Sequence, residues 1–592
     1  MIWCWALEKE KKCFVFVFRW KTKNKCLGPK KPENRTGPNG FGFCRFSVYK
    51  KTEPARTDIF GFGLGLTNFQ ARPDPSPALQ KIASSGGPVI MLSSFLCLFL
   101  ILIALILIKI FLTQWWTPTR LQKLMARQGI KGPCYRLVHG NTKEILNMKN
   151  EAISRPKSLT HDLFPLVQPH YQSWVKKYGK VFLQWYGTEP QLVIFEPELC
   201  KEILNNKDRV YMQQDPQGFV KKLLGNGLGT AEGEHWSKLR KIANHAFHGE
   251  SLKNMIPDMI ASAEKMLQRW KNHEGKEIEV YQEFRLLTSD VISRTAFGSS
   301  YLEGKKIFDM LTKLSSLLFR NSYRVRLPGI SFSKQVMRLK QTRLRNSILE
   351  IVKQREKKPL AEKEDNFGSD FIGLLLNAHH DVDDRSKISV DDVIDQCRAF
   401  YFAGQETTNG LLAWTVLLPA LHPDWQGEAR KEVLQIFGKQ NPNPDGIAKL
   451  KTMSMIINES LRLYPPVIQF VRKTGREVRL GKFVLPANLQ LVIPNVAFHH
   501  DPQIWGPEAQ LFKPERFSEG VAKATKDNMA AFLPFGMGPR ICVGFNFATT
   551  ETKIALSMIL QRYTFTLSPG YVHSPFQFLT VRPQHGIQVM LH

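Results

Sequence analysis

Residues 535–544 read Phe-Gly-Met-Gly-Pro-Arg-Ile-Cys-Val-Gly, and a helical pattern runs from 545 to 562 directly after them. A cysteine in a Gly-rich turn ahead of a helix is a cysteine prepared for chemistry. Backbone N–H groups can approach its sulfur, and the helix presents its positive end to it. Gly538 and Gly544 are the residues that permit close backbone approach and unusual dihedrals. A lone Cys in such a turn would read as a buried structural residue. Here the run fits F-x-x-G-x-R-x-C-x-G at every fixed position, which sets Cys542, Phe535 and Arg540 apart.

Other motifs stand at a distance from this loop. Ala403-Gly404-Gln405-Glu406-Thr407-Thr408 lies inside one long apolar helix pattern, 388–422. Gly within a helix costs roughly 1 kcal/mol relative to Ala, so a packing or functional reason is required. Glu459-Ser-Leu-Arg462 precedes Tyr464-Pro465-Pro466, and i to i+3 spacing puts the two charges on one helix face. Pro514-Glu515-Arg516-Phe517 stands some fifty residues later. Trp236-Ser-Lys-Leu-Arg240 offers an indole N–H and a guanidinium on one face, and Arg can bind a carboxylate bidentately.

Taken together, these motifs make residues 120–592 resemble the cytochrome P-450 superfamily. The long-helix motif, Lys131-Gly132-Pro133 and the C-terminal Arg582-Pro-Gln-His-Gly586 are similar to the plant 72-clan of microsomal members. The resemblance implies a mainly α fold with a small β region, as one large catalytic domain behind an N-terminal transmembrane helix. It implies haem b (iron protoporphyrin IX) with Cys542 as axial ligand, since a thiolate pushes electron density onto iron and favours O–O cleavage. Arg540, Trp236, Arg240 and Arg472 become propionate partners, and Phe535 covers the proximal face. The long helix crosses the distal face, kinked near Ala403–Gly404 to admit dioxygen. Thr407 hydrogen-bonds the activated oxygen, and Glu406 helps relay protons as a general acid. Glu459, Arg462 and Arg516 form a buried structural trio. Three residues depart from the family pattern: Cys134 for a second Pro, Phe545 for Gln, and Pro419 near the end of the long helix.

Residues 89–112, VIMLSSFLCLFLILIALILIKIFL, are long enough to cross ~30 Å of hydrocarbon at ~1.5 Å per residue. Lys109, Arg120, Lys123, Arg127 and Lys131 flank the run, with Trp115 and Trp116 at its edge. The positive-inside rule then puts the chain beyond residue 113 in the cytosol, as a single-pass protein of the endoplasmic reticulum membrane. Residues 113–135 read as a basic, Pro-containing linker and 136–592 as the catalytic domain. Residues 1–88 mix Gly, Pro and Lys without a sustained period and read as an extension, disordered or an artefact of start-codon choice, with Met91 as the alternative start. The sequon Asn34-Arg-Thr36 lies within it.

The formal net charge of +30 raises nucleic acid as a partner, but it is dispersed and no nucleic-acid-binding signature accompanies it. No two of the nine Cys form a C-x-x-C pair, which argues against a zinc ribbon or a disulfide framework. The pairs His379–His380 and His499–His500 read as loop or surface residues without metal-ligand company. Elsewhere the pattern gives two strands in 181–195, helices over 252–270, 281–297, 305–319 and 335–354, a charged loop at 359–370, strand at 482–494, and a C-terminal hairpin.

The expected function is hydroxylation of a lipophilic molecule of terpenoid, hormone-precursor or fatty-acyl type with dioxygen. No flavin or nicotinamide motif lies in the chain, so the resemblance implies electrons from NADPH through a separate NADPH–cytochrome P-450 reductase. Lys238, Arg240 and Lys241 are the basic patch for that partner. Substrate contacts are expected from 208–228, Phe402–Gly404, Val467–Val471 and Pro575–Thr580, with Phe402, Phe470, Phe576 and Phe578 prominent. The rivals are a haem-thiolate isomerase or dehydratase that uses no dioxygen, and a non-catalytic haem protein.

Overall fold

The 388–422 pattern forms one helix, Val390–Leu421, much of which is buried in the larger core of the folded body. Ser389 and Asp392 close a reciprocal capping box at its start, satisfying two backbone N–H groups that would otherwise be orphaned. In this computed structural model the described residues are 77–154, 159–213, 219–322, 333–362 and 366–592, with two short strands, Ile2–Trp5 and Phe14–Val17. The chain divides into two units, Met1–Ile108 and Lys109–His592.

In the first unit the apolar run lies in helix Pro77–Phe111, which begins twelve residues before the expected boundary at 89. None of its apolar window is buried against protein. The two strands pair antiparallel, with Ile2 opposite Val17 and Trp5 opposite Phe14. They fall in a stretch where no strand pattern was expected. The sequon lies outside the described residues.

The second unit begins earlier than 136. A π-helical turn, Leu112–Trp116, leads into helix Thr117–Arg127, and Met125 and Ile130 are buried. The side chain of Gln128 exchanges two hydrogen bonds with the backbone of Val484. The expected linker is therefore part of the folded body, because its amphipathic helix has an apolar face to bury.

The body has two cores. One packs against a five-stranded sheet ordered Val181–Tyr186, Glu189–Ile194, Gln490–Ile493, Phe470–Thr474, Tyr211–Gln213. The pair between Gln490–Ile493 and Glu189–Ile194 is parallel, Leu491 facing Leu192, while the other neighbours run antiparallel. The larger core is helical and takes in Val390–Leu421, Val280–Phe297, Gly249–Trp270 and Phe545–Arg562. The expected hairpin at the C-terminus is two pairings: Phe565–Leu567 with Gln588–Leu591, and Pro575–Gln577 with Val581–Pro583. The fold is mainly helical with a small β region.

Two sequence expectations need correction. Residues 359–362 belong to helix Ser333–Glu362 rather than to a loop. His499 and His500 are buried, not superficial. His499 Nε2 accepts from the backbone N–H of Leu533 at 2.9 Å, and His500 lies 2.9 Å from both the Leu463 carbonyl and Gln510 Oε1. Burial beside Arg462 holds His500 down at about 4, so it is neutral at physiological pH.

Candidate active site

The helix Val390–Leu421 and the loop 534–544 face each other across a cavity of about 380 Å³. Its walls are mostly apolar: Phe247, Ile292, Ala399, Phe400, Leu411, Val467, Phe470 and Phe547 contribute.

The cysteine loop makes a short 3-10 turn at Gly538–Arg540, then enters helix Phe545–Arg562. The backbone N–H of Cys542 donates to the Phe535 carbonyl at 2.9 Å, which closes the loop. Gly538 has φ +74°, and a Cβ there would stand 2.4 Å from the Leu204 carbonyl oxygen, so only glycine fits. Gly544 differs from expectation: its φ is −89°, and a Cβ would meet only the Cys542 sulfur, at 3.9 Å. Its contribution is a backbone N–H directed at that sulfur. Cys542 lines the cavity and is exposed there, although protein surrounds it closely. Burial raises its thiol pKa; the Gly544 N–H and Arg240 pull the other way. A cation bound at the sulfur would reverse that balance. Phe545 packs edge-on against Phe535, with centroids 4.7 Å apart.

Three guanidiniums line the same cavity. Arg540 pairs with Glu232 at 2.7 Å, donates to the Ala231 carbonyl and lies over the Trp236 ring at 4.7 Å. Arg240 donates to the Ile541 carbonyl at 2.6 Å and to Asn244. Arg472 is buried, and its hydrogen bond among the described residues goes to the carbonyl of Val471. Burial and then Arg540 push it down to about 10. Glu232 is the carboxylate paired within this group, so the rim carries excess positive charge. The indole N–H of Trp236 has no acceptor among the described residues. A thiol on one wall, an apolar slot and a cationic rim together fit a planar metal-centred dianion: sulfur for the metal, guanidiniums and indole N–H for two carboxylates.

Gly404 has a packing reason. Helix Val280–Phe297 crosses here, and a Cβ on Gly404 would stand 2.7 Å from Ile292 Cδ1. Thr407 and Thr408 both line the cavity, and the Thr407 hydroxyl donates to the Ala403 carbonyl at 2.7 Å. Its oxygen lone pairs remain available. Glu406 does not join them. It is buried, accepts from Thr580 and pairs with Arg582. The relay expected of it is at odds with this arrangement, because the carboxylate is engaged by the C-terminal hairpin.

The structure also brings Glu459, Arg462 and Arg516 together. Both Arg462 and Glu459 have no exposed surface, and they form two parallel bonds of 2.7 Å. Arg462 donates further to the carbonyls of His499, Ala509 and Leu511, and Arg516 Nε lies 3.5 Å from Glu459. The backbone N–H of Lys513 adds a bond to Glu459 at 2.9 Å.

Among the expected substrate contacts, Phe470 lines the cavity and Phe402, Phe576 and Phe578 do not. Phe578 packs on Phe319, with centroids 4.7 Å apart. Phe400, not Phe402, faces the cavity, in phase with Gly404 and Thr407 at helical spacing. That periodicity was available in the sequence. Ile292 was not, since its helix carries no motif; Phe247 and Glu232 bracket the helix of Trp236 and Arg240, but nothing in the motif says that they turn to the cavity group. Arg240 is turned to the cysteine loop, so the expected exterior patch keeps Lys238 and Lys241 only.

A family model described as Cytochrome P450 matches residues 166–591. Cytochrome P450 CYP749A22 of Panax ginseng is 57% identical over 507 residues, covering 84% of this chain and 96% of that protein. Cytochrome P450 CYP72A616 of Paris polyphylla is 41% identical, covering 81% and 94%. The 7-deoxyloganic acid hydroxylase of Catharanthus roseus is 39% identical, also covering 81% and 94%.

Proposed function

The chain belongs to the cytochrome P450 family of haem monooxygenases, and we propose that it hydroxylates a lipophilic molecule of terpenoid type. The substrate class rests on the apolar cavity walls and on the likeness to 7-deoxyloganic acid hydroxylase. The cofactor in this reading is haem b, which supplies the iron at which dioxygen is cleaved. The observation that carries the reading is the cavity itself: Cys542 opens onto it and Arg240, Arg472 and Arg540 surround it.

Cys542, held by the backbone of Phe535 and Gly544, would bind the haem iron through its sulfur. Arg540, Arg472, Arg240 and Trp236 would hold the propionates, and Phe535 with Phe545 would shield the sulfur from water. Thr407, across the cavity from Cys542, would offer its hydroxyl oxygen to a water or to dioxygen. Glu406 anchors the long helix to the hairpin instead of carrying protons. Glu459, Arg462 and Arg516 hold the scaffold beneath the loop.

Residues 89–112 cross the endoplasmic reticulum membrane once, with the catalytic domain in the cytosol. NADPH–cytochrome P-450 reductase supplies the electrons and docks on the side of Lys238 and Lys241. The test is the reduced protein under carbon monoxide. A strongly red-shifted Soret band is expected from the full chain and its loss from Cys542→Ala. Persistence of the band in a folded Cys542→Ala protein would refute the ligand assignment. Turnover of a terpenoid panel with reductase and NADPH then tests the substrate class.

A further inference from the structure

Away from the cavity, two imidazoles and a carboxylate converge. Glu356 lies on helix Ser333–Glu362, His379 ends helix Phe371–His379, and His380 is the next residue. One ring nitrogen of each histidine and a carboxylate oxygen of Glu356 lie within 4.8 Å of one another. His380 Nε2 is 3.3 Å from Glu356 Oε1. In sequence the His pair stands alone; the helix packing supplies the missing partner.

The surroundings orient both rings. His379 Nδ1 is 2.8 Å from the Ile388 carbonyl. A carbonyl only accepts, so Nδ1 carries the hydrogen and the lone pair sits on Nε2. Tethering of one ring nitrogen to a carbonyl is the outer contact that metal-binding histidines usually have. The ring of His380 stacks on Phe367 at 4.9 Å and 23°.

We propose that Glu356, His379 and His380 bind a first-row divalent transition ion of the zinc type, with water completing the coordination. Two imidazoles with one carboxylate match open zinc sites, whereas magnesium and calcium prefer oxygen throughout. Bonds of about 2.0–2.1 Å place tetrahedral ligand atoms about 3.3 Å apart. The Glu356–His380 separation already has that value, and His379 must close by at most about 1.5 Å. His379 is tethered at Ile388, so the closure falls on Glu356 and the exposed His380 moving toward it, at the expense of the His380 stack on Phe367. The ion would join helix Ser333–Glu362 to the end of helix Phe371–His379. Through Ile388 it would also brace the capped start of the long helix at Ser389.

The experiment uses the full-length haem-loaded protein in detergent, stripped of loose metal, and titrates zinc against a chromogenic chelator. The variants are Glu356→Gln, His379→Ala and His380→Ala, with far-UV circular dichroism checking their fold. Exposed cysteines such as Cys97 and Cys134 are common to all four proteins, so the difference between them isolates the site. The wild type is expected to hold one equivalent more than the variants, or to bind it at least about tenfold tighter. Excess magnesium should not displace it. Equal stoichiometry and affinity in the wild type and in folded His380→Ala or Glu356→Gln would overturn the proposal, and so would displacement by magnesium. The cluster would then be a surface ion pair and no more.

Discussion

Gly404→Ala sets two effects against each other, and the structure says which prevails. Alanine is the better helix former by about 1 kcal/mol. Its Cβ, however, would lie 2.7 Å from Ile292 Cδ1, 2.8 Å from Cγ1 and 3.3 Å from Cβ. Ordinary carbon contacts are about 3.5–4.0 Å, so the helices must part by roughly 0.7–1 Å or Ile292 must rotate. Rotation is costly, because a β-branched side chain in a helix has one strongly preferred χ1. Overpacking costs about 1–3 kcal/mol, and two contacts this short put it toward the upper end. The net expectation is destabilisation of about 1–2 kcal/mol. Ile292→Ala removes the two closest atoms and should itself cost about 2–5 kcal/mol. In the double variant the alanine at 404 should then be neutral or stabilising. Large membrane proteins often unfold irreversibly, so the assay is the rate at which the carbon monoxide band is lost at a fixed elevated temperature. Faster loss in Gly404→Ala, with no additional acceleration over Ile292→Ala in the double variant, is the expected pattern. A Gly404→Ala protein as durable as the wild type, or additivity across the four proteins, would refute the reasoning.

Glu459→Gln leaves Arg462 buried with its partner's charge removed and should cost about 3–5 kcal/mol, seen as little or no haem-loaded protein on expression. Arg472→Met removes a buried charge with one backbone partner; the haem-free chain should resist denaturant better, while haem should be transferred to apomyoglobin about ten- to a hundredfold faster. Glu406→Gln should lower thermal durability through unpaired Arg582, yet leave the solvent isotope effect on turnover unchanged; an altered isotope effect would restore the relay role to Glu406. His161 is held neutral, down to about 3, by burial and then by His573 and His422. Its folded pKa lies below its unfolded one, so the unfolded chain binds the extra proton and stability falls as pH drops from about 6.5 toward 3. His161→Gln should flatten that part of the urea midpoint against pH.

Motifs whose chemistry is local were legible in the sequence. The cysteine loop needs its glycine, its arginine and the adjoining helix within ten residues, and the structure keeps those neighbours together. The long helix was legible because its apolar pattern and its Ser389–Asp392 cap are both local. Glu459 and Arg462 were visible as one helix face, but Arg516 and the carbonyls of Ala509 and Leu511 reach them only through tertiary folding. Glu406 shows the limit most clearly. Its place beside Thr407 is a fact of sequence, yet its side chain is claimed by Thr580 and Arg582, some 170 residues later. The burial of His499 and His500 was equally hidden, since polar residues enter a core only where hydrogen-bond partners from elsewhere in the chain await them.

The parallel strand pair has a consequence for biosynthesis. Leu192 must wait for Leu491, so strand Glu189–Ile194 leaves the ribosome ~300 residues ahead of its neighbour. At about 5–20 residues per second that is roughly 15–60 s during which an apolar edge stands open. The nascent chain is expected to need that edge covered for the interval, and slowing elongation between the two strands should lengthen the time that chaperones stay bound to it.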